Sequence, residues 1–117
     1  MIADITNWSQ RLFQSVDDQD TDTFLSFLAD DVSFRFGNAQ AVTGKEAVGE
    51  AVSGFFASIQ SLSHNLTEVW DKPDAVICHG TVTYTRHDST TLSVPFANVL
   101  ETRDDLITAY YIFNNIK

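Results

Sequence analysis

The stretch AVICHGTVTYTRHDSTTLSVPFANVLETR, residues 75–103, contains two long runs in which apolar and polar side chains alternate. Successive side chains of a β-strand point to opposite faces of a sheet, so each run predicts a strand with one apolar face. The polar segment His87-Asp88-Ser89 separates the two runs and is short enough for a hairpin turn. The stretch therefore predicts an antiparallel pair of long strands.

The same period of two continues on both sides of this stretch. One alternating run precedes it at residues 62–70, and another follows it at residues 106–114. The turn-forming segments at residues 72–74 and 104–105 separate these runs from their neighbours. Because each connection has hairpin length, the second half of the chain predicts an antiparallel sheet.

The first half of the chain has helical periodicity instead. Apolar residues recur at helical spacing over about residues 3–17, which predicts a first helix. Either Asp20 or Thr21 can cap a short second helix. The pair Asp30-Asp31 is expected to end that helix before a strand begins.

A short strand and a third helix are predicted next. Residues 32–36 alternate as a strand does, and Gly37 follows in a turn. Thr43, with Glu46 three residues later, has the capping-box arrangement and opens a broad apolar stripe that extends to residue 59. Helices followed by strands indicate one α+β domain over residues 1–117, with the helices on one face of a curved sheet.

The composition excludes several classes of function. Sixteen acidic and seven basic residues give a formal net charge of −9, which repels the phosphate backbone of nucleic acids. The single cysteine, Cys78, permits no intramolecular disulfide, and no metal-ligand spacing is present. The chain lacks a signal-peptide pattern and a bilayer-length apolar stretch. We therefore expect a cytoplasmic protein that binds no nucleic acid, membrane or metal.

The alternation also predicts which side chains of the sheet face the helices. These are the more apolar sets: Leu62, His64, Leu66, Glu68 and Trp70; Val76, Cys78, Gly80, Val82 and Tyr84; Leu92, Val94, Phe96, Asn98 and Leu100; Ile107, Ala109, Tyr111 and Phe113. Polar side chains are few among them. An apolar enclosure with a few placed polar groups is typical of a small-molecule site, so we expect a pocket there.

The opposite face of the sheet also carries apolar side chains. Leu106, Tyr110 and Ile112 of the last run, with Val99 and Ile77, are predicted to point outward. A second face that is partly apolar indicates a partner, most simply an identical subunit. We therefore expect a homodimer through the outer face of the sheet.

Three short motifs are spaced along the chain: LADDV at residues 28–32, GKEAV at 44–48 and VPFANVL at 94–100. Their order and spacing resemble the SnoaL-like branch of the nuclear transport factor 2-like superfamily over nearly the whole chain. The resemblance implies a cone-like curved antiparallel or mixed sheet wrapped around the three helices of the N-terminal half, commonly dimeric through its sheet face. The superfamily includes isomerases, dehydratases, epoxide hydrolases, polyketide cyclases and non-catalytic binding proteins, so the fold alone does not imply one function.

The resemblance carries over to individual residues only in part. Asn98 matches the position at which ketosteroid isomerases keep a protonated carboxylic acid in their oxyanion hole. Leu12 or Phe13 replaces the tyrosine of their first helix, and Phe36 or Gly37 replaces their general-base aspartate. The epoxide hydrolases of this fold use two inward aspartates with an arginine, and the predicted inward sets contain no aspartate. Neither of these two reactions is therefore expected.

His64 and Asn98 are the predicted catalytic residues. Asn98 either donates to a substrate carbonyl or developing enolate, or is a structural amide bonded to Tyr84, the main chain or water. His64 acts either as a general acid or base, or as a rim histidine bonded to a neighbouring strand. Glu68 is either a pocket carboxylate or part of a salt bridge at the pocket edge. The predicted substrate-binding residues are Trp8, Leu12, Phe34, Phe56, Glu68, Val82, Tyr84, Phe96 and Tyr111.

Two hypotheses of function follow from these residues. The first is a small-molecule-binding protein that acts as an isomerase, cyclase or dehydratase, moving a proton on an apolar carbonyl-containing substrate without metal or organic cofactor. The alternative is a non-catalytic ligand-binding or protein-interaction module whose pocket is filled by its own side chains, among them nine Phe and two Trp. A cavity that reaches both His64 and Asn98 would favour the first hypothesis.

Overall fold

The computed structural model describes residue 2 and residues 4–114. The strands of this part of the chain form one mixed sheet in the order β2-β1-β6-β5-β4-β3, in which β1 runs parallel to β6 and the other neighbours are antiparallel. The elements are α1 (Ile5–Asp17), α2 (Thr21–Leu25), β1 (Leu28–Phe36), β2 (Val42–Thr43), α3 (Lys45–Ser58), β3 (Ser61–Lys72), β4 (Ala75–Thr85), β5 (Thr91–Arg103) and β6 (Leu106–Asn114). The predicted α+β class is confirmed.

The first two helices begin at aspartate caps, and the third begins at a glycine. The side chain of Asp4 accepts the Asn7 N–H at the start of α1, and that of Asp20 accepts the Thr23 N–H at the start of α2. The capping box predicted for α3 is wrong, because Thr43 belongs to strand β2 and the N-cap is Gly44, which makes no side-chain bond. Gly44 has φ +94°, a conformation that glycine adopts without strain.

The prediction that Asp30-Asp31 ends the second helix is also wrong. Helix α2 ends at Leu25, and both aspartates lie within β1. The pairing of β1 with β6 shifts register between Leu28 and Ser33, so both aspartates face solvent while their apolar neighbours are buried. Asp31 accepts a hydrogen bond from the exposed Arg103 at 3.1 Å.

The core lies between the helices and the concave face of the sheet. The inward sets predicted for β4 and β5 are buried, from Val76 to Tyr84 and from Val94 to Leu100. Helix α1 packs against β3, and α3 packs against β1 and β2. These contacts place the last turn of α1 beside β3 and bring α3 across the cavity described below.

The face predicted for the second half of β3 is wrong because the strand contains a bulge. Leu66 pairs with Gly80 and Glu68 pairs with His79, which leaves Thr67 as an extra residue. A bulge inverts the alternation beyond it, so Val69 turns inward while Glu68 and Trp70 turn outward. The Trp70 indole then stacks on the His79 ring, with centroids 5.5 Å apart.

A second bulge reverses the predicted faces of β6. Glu101 pairs with Ala109 and Thr102 pairs with Ile107, which leaves Thr108 without a partner. Tyr110 and Ile112, predicted to point outward, therefore point into the interior, where Tyr110 is 2% exposed. Tyr111 and Phe113, predicted to point inward, lie on the outer face, where the Arg35 guanidinium stands 5.2 Å and 5.9 Å from their ring centroids.

Candidate functional site

A cavity of about 260 Å³ lies between the concave face of the sheet and helix α3. Ala39 and Gln40, which follow β1, line it together with Ala51 of α3, and all three are exposed, so the cavity reaches solvent on this side. Most of the remaining wall is apolar and aromatic: Val16, Phe24, Phe34, Phe36, Val42, Val52, Phe55, Phe56, Leu62, Val82, Tyr84, Phe96, Tyr110 and Ile112. The other polar side chains of the wall are His64, Asn98 and Asn114.

His64 is held by the carboxylate of Asp17, the last residue of α1. The distance from His64 Nδ1 to Asp17 Oδ1 is 2.6 Å, and the His64 backbone N–H donates to Asp17 Oδ2 at 3.0 Å. Both side chains are largely buried, with 11% and 19% of their surfaces exposed. A carboxylate acceptor at Nδ1 keeps the proton of the neutral ring on that nitrogen and leaves Nε2 with a free lone pair.

The ring of His64 stands between two phenylalanines. Its centroid lies 4.9 Å from that of Phe13 on α1 and 5.2 Å from that of Phe96 on β5. The two nitrogens of an imidazole point in roughly opposite directions, so Nε2 faces away from Asp17. Since His64 lines the cavity and Asp17 does not, we infer that Nε2 is the atom His64 presents to the cavity.

Asn98 lies in the wall of the same cavity and is 2% exposed. Its Oδ1 atom accepts no hydrogen bond from the described residues. A buried polar atom without a partner costs about 1–3 kcal/mol of stability. Oδ1 can only accept a hydrogen bond, so the group of Asn98 that can donate to a ligand is its amide NH2.

Asn98 and His64 approach the cavity from separate positions. His64 pairs with Val82 of β4, and Asn98 pairs with Cys78 of the same strand, four residues away. Strand geometry therefore places their backbones about 13 Å apart along the sheet and about 10 Å apart across it. One ligand atom cannot contact both side chains, so a ligand that meets both must extend between them.

Tyr84 and Asn114 form a second polar pair in the wall. The Asn114 side-chain amide donates to the Tyr84 hydroxyl at 3.4 Å. Burial raises the pKa of Tyr84 to about 12, and this hydrogen bond lowers it only in part. Burial also raises the pKa of Tyr110 above its ordinary value. Both phenols are therefore neutral hydrogen-bonding groups near neutral pH.

The structure brings together seven of the predicted site residues in one wall: His64, Asn98, Phe34, Phe56, Val82, Tyr84 and Phe96. The other four lie elsewhere. Trp8 is buried against Phe27, and Leu12 is fully buried in the core. The bulges place Glu68 in a polar groove between α1 and β3, and Tyr111 on the outer face.

Asp17 is a site residue that the sequence pattern did not indicate, as are the wall residues Phe55, Tyr110 and Asn114. In the sequence, Asp17 is only the expected last residue of the first predicted helix. It lies 47 residues from His64 in the chain, and no local pattern links the two. A carboxylate at the C-terminal end of a helix, where the helix dipole disfavours negative charge, is the one available signal.

The SnoaL-like domain model matches residues 9–110. The chain belongs to the SnoaL-like domain family. This match confirms the resemblance inferred from the three motifs. A search of curated proteins finds no match for this chain.

Solved structures of SnoaL-like and related proteins share the fold at low sequence identity. An NTF2-like protein of unknown function from Burkholderia pseudomallei superposes with TM-score 0.86 and 12% identity, over 97% of this chain and 92% of that one. A protein from Jannaschia sp. CCS1 that is described as a SnoaL-like polyketide cyclase superposes with TM-score 0.82 and 17% identity, over 98% of this chain and 90% of that one. An LEH-like epoxide hydrolase from M. tuberculosis superposes with TM-score 0.81 and 14% identity, over 93% of this chain and 80% of that one. At these identities the likeness shows the fold alone.

Two further features concern the described residues of this SnoaL-like domain. None of their helices combines the length and the apolar character needed to cross a membrane. Their His, Cys, Asp and Glu side chains nowhere gather in groups of three or more that could hold a metal ion.

Proposed function

We propose that this SnoaL-like domain binds a small, largely apolar carbonyl compound and catalyses proton transfer on it without a cofactor, as in isomerisation, cyclisation or dehydration. The observation that carries the proposal is that a single apolar cavity reaches both the Asp17-backed His64 and the buried Asn98. A cavity of this kind is suited to a substrate that loses a proton from carbon. The base removes the proton, and the amide stabilises the negative charge that develops on the carbonyl oxygen.

Each polar residue has a separate role in this reaction. Nε2 of His64 takes a proton from the saturated carbon next to the double-bond system that is conjugated to the carbonyl group. The Asn98 amide donates to the carbonyl oxygen while negative charge develops on it. Asp17 is a positioning residue, since it contacts His64 but does not line the cavity. Because the two polar groups are well separated, the conjugated system of the substrate must extend between them.

The size of the cavity restricts the substrate. Its volume of about 260 Å³ lies just below the range of roughly 300–1,000 Å³ that is typical of drug-sized ligands. The wall includes the rings of Phe34, Phe36, Phe55 and Phe56, which favour flat unsaturated groups. We therefore propose unsaturated ketones with one or two rings as the substrate class.

A non-catalytic binding module is the second candidate function. Phe55 packs against Phe36, Phe56 and Tyr84, with centroids 5.6, 6.2 and 5.9 Å apart. This continuous aromatic cluster supports the binding of a flat ligand even if no proton moves. The two functions differ in whether a bound ketone exchanges protons with solvent.

The test measures binding and proton exchange with the same probes. Cyclohex-2-enone and 1-tetralone are screened by thermal shift, and exchange of their carbon-bound protons in D₂O is followed by NMR. We expect a ligand at 100 times its Kd to stabilise the protein by about 2.7 kcal/mol. His64→Ala should abolish exchange but keep binding, and Asn98→Ala should weaken both.

Matched controls lie outside the cavity. His79→Ala and Asn7→Ala remove the same side chains from the outer strand face and from an exposed position of α1. Both controls should behave like the unmodified protein. Binding without exchange in the unmodified protein would leave only the binding module, and loss of activity in the controls would contradict the assignment of the site.

We further propose a homodimer through the outer face of the sheet. Trp70, Ile77, Val99 and Tyr111 are cross-strand neighbours and form one apolar row across β3, β4, β5 and β6. Trp70 is 44% exposed. A contiguous apolar row on an open sheet face supports an isologous contact, in which the same row of a second copy covers it.

A further inference from the structure

A polar groove of about 590 Å³ runs between α1 and β3, on the other side of His64 from the cavity. Its wall contains Thr6, Ser9, Gln10 and Gln14 of α1, facing Asn65, Thr67 and Glu68 of β3. Several of these residues are exposed, so water reaches the groove. The wall of the groove is thus largely polar, whereas the wall of the cavity is largely apolar.

His64 is the one described residue that lines both spaces. Its two neighbours are divided between them, because Phe13 lines the groove and Phe96 lines the cavity. Asp17 lines the groove only. The imidazole of His64 therefore separates the two spaces, with Nδ1 and Asp17 towards the groove and Nε2 towards the cavity.

The position of Asp17 supports a role beyond helix stability. It ends α1, and the last turn of that helix contains no basic residue. A carboxylate at this end is disfavoured by the helix dipole by about 0.3–1 kcal/mol. Both of its oxygens are instead used on His64, one on the ring and one on the backbone N–H.

We propose that the Asp17–His64 pair is a proton conduit, which exchanges protons with water in the α1–β3 groove while the cavity is occupied by a ligand. When Nε2 takes a proton from the substrate, the ring becomes an imidazolium. Its Nδ1 proton then passes to Asp17 and on to groove water, which leaves the neutral ring in its other tautomer, with the substrate's proton on Nε2 and one proton released to solvent. The reverse sequence returns a proton to the substrate.

The titratable groups around this pair are few. Among the described residues, Glu68 lines the same groove from the part of β3 beyond the bulge, and Tyr84 and Tyr110 lie in the wall of the cavity. The two phenols stay protonated near neutral pH, so they do not compete for the transferred proton. The catalytic use of the conduit rests on the proposed function, but the access of solvent to His64 from the groove does not.

The test follows hydrogen–deuterium exchange at Cε1 of each histidine by mass spectrometry, and it needs no ligand. Gln10→Trp and Gln14→Trp fill the groove from exposed positions of α1, and Ala51→Phe fills the cavity from α3. We expect either groove variant to slow exchange at His64 by about fivefold or more in the Ala51→Phe background, where the solvent-reaching side of the cavity is also filled and the buried site exchanges only through local opening. Ala51→Phe should leave the rate within about twofold. The exposed His87 is the internal reference.

The outcomes separate this proposal from the proposed function. Slowing by Ala51→Phe and not by the groove variants, equal slowing by all three, or no slowing by any of them would overturn the conduit. If the groove variants slow the exchange but no ketone exchanges its protons, the conduit stands as a route for solvent and the proposed catalysis fails. Circular dichroism confirms that each variant is folded before its rates are compared.

Discussion

Asn98 is a buried amide whose Oδ1 atom lacks a partner among the described residues, within a largely apolar wall. Replacement by leucine, which is close in volume, removes this unpaired atom. We predict that Asn98→Leu stabilises the protein by about 1–3 kcal/mol while it abolishes ligand binding. Urea unfolding measures the first effect and thermal shift with cyclohex-2-enone measures the second.

Asn114→Leu is the matched control for this prediction. Asn114 lines the same cavity, but its amide donates to Tyr84, so the same change removes a formed hydrogen bond. It should be neutral or destabilising. If Asn98→Leu destabilises the protein as Asn114→Leu does, Asn98 is a structural amide and its assigned role is wrong.

The buried thiol of Cys78 is expected to make the free energy of unfolding depend on pH in the alkaline range. Burial raises the pKa of its thiol from about 9 to about 12, against a smaller lowering by the backbone of Asn98. The folded state therefore holds the thiol proton more tightly than the unfolded chain does. This contribution is fully present below pH 9 and is lost as the pH rises towards 12.

Cys78→Ala should remove this part of the pH dependence. We expect the free energy of unfolding of the unmodified protein to fall more steeply than that of the variant by about 1.4 kcal/mol per pH unit above pH 9. Urea unfolding at several pH values measures the two slopes. Tyr84 titrates in both proteins, so it cancels in the comparison. Parallel slopes would contradict the burial of this thiol.

At the scale of the strands, Gly80 lies beside the bulge in β3, where the two backbones approach closely. A Cβ atom at this position would lie 2.0 Å from the Asn65 carbonyl oxygen, which is backbone and cannot move aside cheaply. We predict that Gly80→Ala destabilises the protein by about 3 kcal/mol or more, since β3 must move away from β4. Thermal unfolding measures this effect.

Gly54→Ala is the control within α3. A Cβ atom at this exposed helical position meets no atom within 4 Å. The same substitution should therefore stabilise the protein by about 1 kcal/mol, because alanine favours helix over glycine. Similar effects of both substitutions would show that the contact between Gly80 and β3 does not control the register.

The bulges also explain what the alternating pattern could and could not predict. The pattern predicted the limits of β6, because turn-forming residues precede it, and the inward faces of β4 and β5, because uninterrupted strands alternate strictly. It placed Glu68 and Tyr111 on the wrong face, because one extra residue at Thr67 or Thr108 inverts every side chain beyond it. Neither threonine differs from its neighbours in a way that marks a bulge.

The candidate site divides in the same way. His64 and Asn98 could be predicted because they are polar residues on strand faces that are otherwise apolar. The role of Asp17 could not, because it depends on the packing of α1 against β3, which brings distant parts of the chain together. Local patterns record which face a residue is on, and tertiary packing decides which residue it meets.

At the scale of the whole molecule, the same inversion of β6 shapes both sides of the sheet. It moves Tyr110 and Ile112 into the cavity and moves Tyr111 and Phe113 to the outer face. The outer face therefore gains aromatic surface, and Arg35 covers only part of it. The net negative charge of the chain makes two copies repel each other. Association is therefore expected only where the burial of apolar surface outweighs this repulsion, as on the outer face.

The outer face thus predicts the oligomeric state. Trp70 and Phe113 are each 44% exposed, so a lysine at either position does not disturb the core. A stable homodimer buries about 800 Å² or more per subunit, and a desolvated lysine at its centre opposes that burial. We expect the unmodified chain to sediment at twice 13.0 kDa and Trp70→Lys or Phe113→Lys to sediment as monomers. Ala57→Lys, which adds the same charge to an exposed position of α3, should remain dimeric. A monomeric unmodified chain, or dimers that persist in both outer-face variants, would show that this face is not the interface.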